Sequence, residues 1–433
     1  MLLPGIIPDK EPLLRVGIIL PEDLEKSVRL DLTSSMNSKL IADGNVINPF
    51  RNIEIRTEKG QLVLNDLKFD RIDILQDGIG SFVTVKNVIA GRGFHWAKKI
   101  DVKLTNSIII YNLDDIILMI NELPIEQYLA CVATSEMSSI CPDSYIEAQT
   151  IVARSWMLAN VEQKHTSLGF DVCNDDCCQR YQGVNNLTDH SRKAANSTRG
   201  LVLMYDNKIV DARYSKSCGG TMERFENLWE NDPKEYMQNK TDSERQLNID
   251  LTKESDFNIW VNSIPETYCS PHFINESDLH RYLGNVDEKG KYFRWTVDIT
   301  NEELVSNLNE KMGTSIKYVK FLNPVKRAGS GRLLELEVLY VGTDNSEKKM
   351  IIYKDYEIRK LLHRKFLFSS GIIIEPYFIE GNDIPAGFIY HGAGWGHGAG
   401  MCQIGGLGMA LAGYIRDQIL YHYYPGSKIN KIY

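Results

Sequence analysis

Between residues 13 and 113 the chain is written in short runs that alternate apolar and polar side chains: LLRVGIIL, SVRLDL, NIEIRTEKGQLVLND, SFVTVKNVI, KIDVKL and SIIIYNL. A period of two turns one face of each run to a core and the other to solvent, which is strand geometry, and Lys59-Gly60 supplies a turn inside the third run. Residues 1–112 are therefore expected to form a β-rich region. At 433 residues the chain exceeds one compact core, and about two or three domains are expected.

The period then changes. LDDIILMINELPIEQYLACVAT carries a last strand into a helix, and Cys141-Pro142-Asp143 opens a second helix, expected to run to about residue 163 with Ile146, Ile151 and Trp156 on its apolar face. Residues 198–230 read as strands ending in the small-residue turn SCGGT, and 231–248 read as polar and irregular. From 257 to 375 strands alternate with two helical stretches, EELVSNLNEKM, in which Leu304, Leu308 and Met312 recur at spacing four, and DYEIRKLLH. The fold class expected is α+β, with β-rich domains and a few helices flanking a central cleft. Its parts are a β-rich region 1–112, a core 113–248, an inserted α+β region 249–378, and a glycine-rich tail 379–433 that completes the core. No repeat of 20 to 50 residues recurs.

The formal charge of -8 argues against a partner with a phosphate backbone, so no nucleic acid is expected. No window approaches the roughly 18 apolar residues of a membrane span. MLLPGIIPDKEP has neither a basic start nor an apolar stretch of leader type, so the chain either stays inside the cell or has lost a leader.

Three constellations could carry chemistry. The tail HGAGWGHGAGMCQIGG combines glycines, which permit close backbone approach, with His391, Trp395, His397 and Gln403, a mixture suited to a sugar-sized polar ligand. The same text also fits a tightly packed turn whose histidines bond only to backbone. Eight cysteines are few for a disulfide scaffold of this length, and Cys173, Cys177 and Cys178 cluster after His165. Three thiols and an imidazole suit four-coordinate zinc in a structural role, with free thiols or a disulfide as the other reading. Finally, Glu136 is a single acid among Val132, Ala133, Met137 and Ile140. Such neighbours would desolvate a carboxyl and favour its protonated form, as a general acid requires. The helix arginine Arg154 could return to the same cleft, while the plainer reading makes Glu136 a helix-terminal or ion-paired residue.

Taken together, NELPIEQYLACVATSEM, EAQTIVARSW, CNDDCCQRYQG, SCGGTME with Trp229 downstream, KRAGSGRLLELEV, YEIRKLL, SSGIIIE, HGAGWGHGAGMCQIGG and HYYPG resemble the SpoIID/LytB family in order and spacing. The resemblance runs from about residue 110 to the C-terminus. It implies a lytic transglycosylase that cuts peptidoglycan glycan strands, with a preference for strands stripped of stem peptides by an amidase. It also leaves open a non-catalytic glycan-binding module or an enhancer of a cell-wall amidase, and a zinc hydrolase is a third reading. On this resemblance Glu136 takes the catalytic acid/base position, Arg154 and Tyr236 join it, and Cys173 and Cys178 are zinc-associated cysteines, with His165 and Cys177 completing the metal set. Substrate binding falls to Ser217, Cys218, Gly219, Gly220, His391, Trp395, Gly396, His397 and Gln403. Glu147 stands where the family has a lysine, and Cys177 where a histidine is frequent. The family also implies a location in the cell envelope.

Overall fold

Each alternating run becomes a strand. In the computed structural model, which describes residues 1–32, 38–47, 51–76, 80–93, 97–175, 177–229, 232–283 and 290–433, the first half of the chain builds two sheets. One has the order Val172–Cys173, Leu13–Ile19, Ile116–Pro124, Ser107–Leu113, Arg71–Leu75, Lys39–Ala42 and Asn45–Ile47. The other runs Lys98–Leu104, Val83–Ala90, Ser27–Asp31, Asn52–Glu58, Gln61–Leu64 and Leu67–Phe69. Their inward residues, among them Leu14, Val16, Ile55, Ile74, Val85 and Ile110, share one core. Lys59 and Gly60 both adopt left-handed φ (+50° and +81°) between the paired Glu58 and Gln61, the geometry of a two-residue hairpin turn that follows strand twist.

Strand Ile116–Pro124 passes directly into helix α1 (Ile125–Glu136), which packs on α2 (Asp143–Ala159) and α3 (Asp189–Ser197). Helix α2 stops at Ala159 rather than near 163, because Asn160 turns left-handed (φ +46°) and donates its N–H back to the Trp156 carbonyl.

The chain separates into two compact units. The first comprises 1–211 with 282–286 and 429–433, and the second 212–281 with 287–428. The boundary thus falls within the expected core 113–248. The glycine-dense tail folds with the inserted region because Gly387–Ala393 is the central strand between Arg294–Thr300 and Ile372–Tyr377. A second three-stranded sheet, Ile316–Arg327, Leu333–Gly342 and Glu347–Tyr353, packs with helices Asn301–Met312 and Asp355–Leu362 around Leu304, Leu308, Leu336 and Phe388. Thr300 and Glu303 cap the first of these helices reciprocally. Met312, in register with the buried leucines, is exposed at its last position. The expected irregular stretch 231–248 is described from 232 on, where it is irregular, yet Tyr236, Met237, Thr241 and Asp242 are buried in it. Among the described residues no helix is long and apolar enough to cross a membrane.

Candidate active site and metal-binding loop

Glu136 is the last residue of α1, and it is buried. The chain beyond it is held extended: Met137 pairs with Leu283, and the Ser138 N–H donates to the Tyr282 carbonyl at 2.9 Å. Of its expected apolar neighbours, Val132, Ala133 and Met137 are buried, whereas Ile140 lies on the surface and does not shield the acid. The main-chain N–H of Arg180 donates to Glu136 Oε1 at 3.1 Å. A backbone amide aimed at a carboxylate oxygen holds the group in direction.

Segment 179–181 fixes that amide along α1. Gln179 donates to the Ala153 carbonyl at 3.1 Å and takes the Tyr128 hydroxyl at 3.2 Å. Tyr181 stacks on Tyr128 with ring centres 5.1 Å apart and donates to Asn121 Oδ1 at 2.7 Å. Burial pushes the phenols of Tyr128 and Tyr181 well above their ordinary pKa, so both remain hydroxyl donors. Sequence reasoning missed this segment because its role lies in backbone position and packing.

Arg154 does not join Glu136. Its fully buried guanidinium pairs with Glu126, Nε to Oε1 at 2.9 Å and Nη2 to Oε2 at 2.5 Å, and also donates to the Leu201 carbonyl at 3.0 Å. Glu126 sits in the first turn of α1 and Glu136 at its end, so the guanidinium lies roughly 15 Å along the helix from the candidate acid. The expected cleft arginine is therefore a structural clamp, and Glu126, which also accepts from the Gly200 N–H and the Tyr433 hydroxyl, is its unrecognised partner.

The cysteine loop assembles as its composition indicates. The ligand-capable atoms of His165, Cys173, Cys177 and Cys178 lie within 4.8 Å of one another. Cys173 Sγ and Cys177 Sγ are 3.0 Å apart, well beyond a disulfide bond. The buried His165 Nε2 has no hydrogen-bond partner, and the ring is stacked on Phe170. An orphaned imidazole nitrogen facing three thiols fits a soft divalent ion. The thiols titrate together: hydrogen bonds with Cys173 and Cys178 hold Cys177 far below its ordinary value, while hydrogen bonds with Cys177 and Cys178 push Cys173 up.

The second unit holds the other expected residues. Gly394, Gly396, Gly398 and Gly400 all adopt left-handed φ. The alternation lets 394–400 run against 213–219: Ser217 and Trp395 exchange main-chain hydrogen bonds at 3.0 and 2.7 Å, and Gly398 N–H donates to Ser215 Oγ at 3.1 Å. A Cβ on Gly219 would meet Gly394 N at 2.7 Å, and one on Gly220 would meet the Trp260 ring at 2.8 Å. Trp395 keeps partial exposure but stacks one face on Phe368, centres 3.8 Å apart. His397 packs edge-on to Trp229 and accepts the Ala399 N–H at Nδ1. Desolvation, then the charges of Arg213, Arg359 and Arg332, push its pKa down to about 3, so the ring is neutral.

Other expected binding residues are placed differently. His391 belongs to the strand, where it meets Thr296 and Glu375. Ser217 and Gln403 are buried, as is Tyr236, which lies in the second unit. Cys218 is corrected: its thiol faces Asp242 and Cys269 inside the unit rather than any ligand-accessible surface.

With this geometry in hand, the chain can be placed. Residues 114–205 match the family described as Stage II sporulation protein, a span that contains Glu136 and the cysteine loop, so this segment is similar to the SpoIID/LytB family. Residues 223–400 match a second family, described as a domain of unknown function (DUF8618). Among similar proteins, an uncharacterized protein of Brachyspira hyodysenteriae is 24% identical over 332 residues, covering 76% of this chain and 72% of that one. The amidase enhancer of Bacillus subtilis is 26% identical over 309 residues, covering 69% of this chain. The matched region is 39% of the enhancer's own length.

Proposed function

We propose that this chain is a lytic transglycosylase that cleaves the bond between N-acetylmuramic acid and N-acetylglucosamine in peptide-stripped peptidoglycan strands, releasing 1,6-anhydro products in the cell envelope. The observation that carries this reading is a buried carboxyl, Glu136, at the end of a helix inside the family-matched segment, oriented by the Arg180 amide. Ordinary glycosidases use two carboxyl groups, one of them for water or a covalent intermediate. A lone acid suffices when the sugar supplies its own nucleophile. Glu136 donates its proton to the glycosidic oxygen as the bond breaks, the substrate's N-acetyl carbonyl steadies the cationic carbon, and Glu136 then takes the proton of the attacking C6 hydroxyl. The acid ends protonated as it began, and no water is consumed.

His165, Cys173, Cys177 and Cys178 would hold zinc, which when bound cross-links the loop that delivers the Arg180 amide. Of the residues expected to contact sugar in the glycine tail of the second unit, His391, Trp395, Gly396 and His397 are partly exposed and carry that role in this reading. Purified Glu136→Gln is the test, on amidase-treated sacculi with anhydro products read by mass spectrometry. The reading requires loss of product with sacculus binding retained; release at the parent rate rejects it. The similarity to an amidase enhancer favours a second reading, stimulation of a cell-wall amidase without glycan cleavage. That reading expects the parent chain to accelerate an amidase and Glu136→Gln to do so equally well.

A further inference from the structure

Four ligand-capable side chains with no shared local spacing converge inside the second unit. Cys218, Asp242, Cys269 and Cys402 are all buried, and their ligand atoms lie within 4.8 Å of one another. Cys218 Sγ is 3.7 Å from Cys269 Sγ and 3.4 Å from Asp242 Oδ2. Tetrahedral zinc with ligands at about 2.3 Å (sulfur) and about 2.0 Å (oxygen) has edges of about 3.8 Å between sulfurs and about 3.5 Å from sulfur to oxygen. Both of these edges match, whereas a disulfide needs its sulfurs at about 2.05 Å.

The surroundings are those of a ligand set. The two Asp242 oxygens are divided: Oδ1 takes the Tyr423 hydroxyl at 2.8 Å and meets His422 Nε2 at 3.2 Å, leaving Oδ2 on the side of Cys218. Cys402 caps the helix Gln403–Leu411, and its sulfur accepts the N–H groups of Gly405 at 3.3 Å and Cys218 at 3.2 Å. Amides aimed at sulfur, and partners that orient a carboxylate from behind, are what support metal ligands. Three thiolates and a carboxylate exceed a divalent charge, and the Arg294 guanidinium, bonded to the Gly219 carbonyl at 2.9 Å, supplies compensating positive charge.

We propose that Cys218, Cys269, Cys402 and Asp242 form a second metal site, taking a zinc-type divalent ion in a structural role and pinning four segments of the second unit. Four protein ligands and full burial leave no position for a reactive water. Each thiol gives up its proton on binding, so loading releases acid.

The test uses the full chain. Cys177→Ser/Cys178→Ser disables the loop in the first unit and should still carry about one zinc per chain by native mass spectrometry. Its cobalt-loaded form should show the intense visible bands and thiolate-to-cobalt charge transfer of a tetrahedral sulfur-rich site. Adding Cys269→Ser should remove both. If the double variant carries no metal, or if under denaturing, non-reducing conditions it is two thiols short and two hydrogens lighter with Cys218, Cys269 or Cys402 in the bond by peptide mapping, the proposal is overturned in favour of an apo or disulfide-bonded cluster. Should the double variant not fold, the parent chain decides: about two ions per chain support the second site, and fewer overturn it.

Discussion

The main-chain N–H of Arg180 reaches Glu136 Oε1 across 3.1 Å, two residues beyond Cys178. The candidate acid is thus oriented by the strand of chain that leaves the cysteine loop. Metal removal should therefore act on activity through position. Chelation is expected to speed amide hydrogen exchange over 174–181, where Tyr181 N–H bonds the Asn174 carbonyl, and to lower turnover without abolishing sacculus binding. Unchanged exchange after verified metal loss would contradict this.

Arg154→Met should destabilise by about 3–5 kcal/mol, since it strands the buried Glu126 carboxylate. Glu126→Gln should cost less, because its amide oxygen can still accept from Gly200 and Tyr433. A double-mutant cycle of Arg154→Met with Glu126→Leu, followed by denaturant unfolding, should show strong coupling, the pair losing clearly less than the sum of its singles.

His397 gives a pH signature. Its folded pKa lies near 3, below the ordinary value of about 6.5, so the unfolded chain binds the extra proton. Stability from this residue is complete above about pH 6.5 and is lost as pH falls toward 3, with a slope of up to about 1.4 kcal/mol per pH unit. Melting temperatures between pH 7 and pH 5 should fall less steeply in His397→Gln than in the parent.

Two glycines with similar φ should respond differently. Gly394 (φ +78°) would place a Cβ 2.8 Å from the Ser217 carbonyl oxygen, while Gly413 (φ +91°) has open space around it. Gly413→Ala is expected to cost about 1–2 kcal/mol for the backbone alone. Gly394→Ala should add a further ~1–3 kcal/mol for the clash. Equal melting temperatures would show that the 217–395 contact yields easily.

Strand placement was legible because alternation is local: LLRVGIIL, SIIIYNL and the Lys59-Gly60 turn all carry their own instructions. The His165 loop was legible for the same reason, since its thiols lie within six positions. Arg154 was misread because its partner Glu126 is 28 positions away and a fully buried guanidinium leaves no periodic trace. Cys218, Cys269 and Cys402 were invisible as a group, 51 positions separating the first two and 184 the outer pair, and Asp242 lay in a stretch that read as merely polar. Helix ends set by a single left-handed residue, such as Asn160, also escape a periodicity argument.

Residues 429–433 complete the first unit: Ile432 bonds Gly200, and the Tyr433 phenol touches Glu126. During vectorial synthesis the ribosome therefore delivers the whole second unit before the last stitch of the first can be made. The half that carries Glu136 must wait in an unfinished state, and shortening the chain by a handful of residues would cripple a helix clamp encoded some three hundred positions upstream.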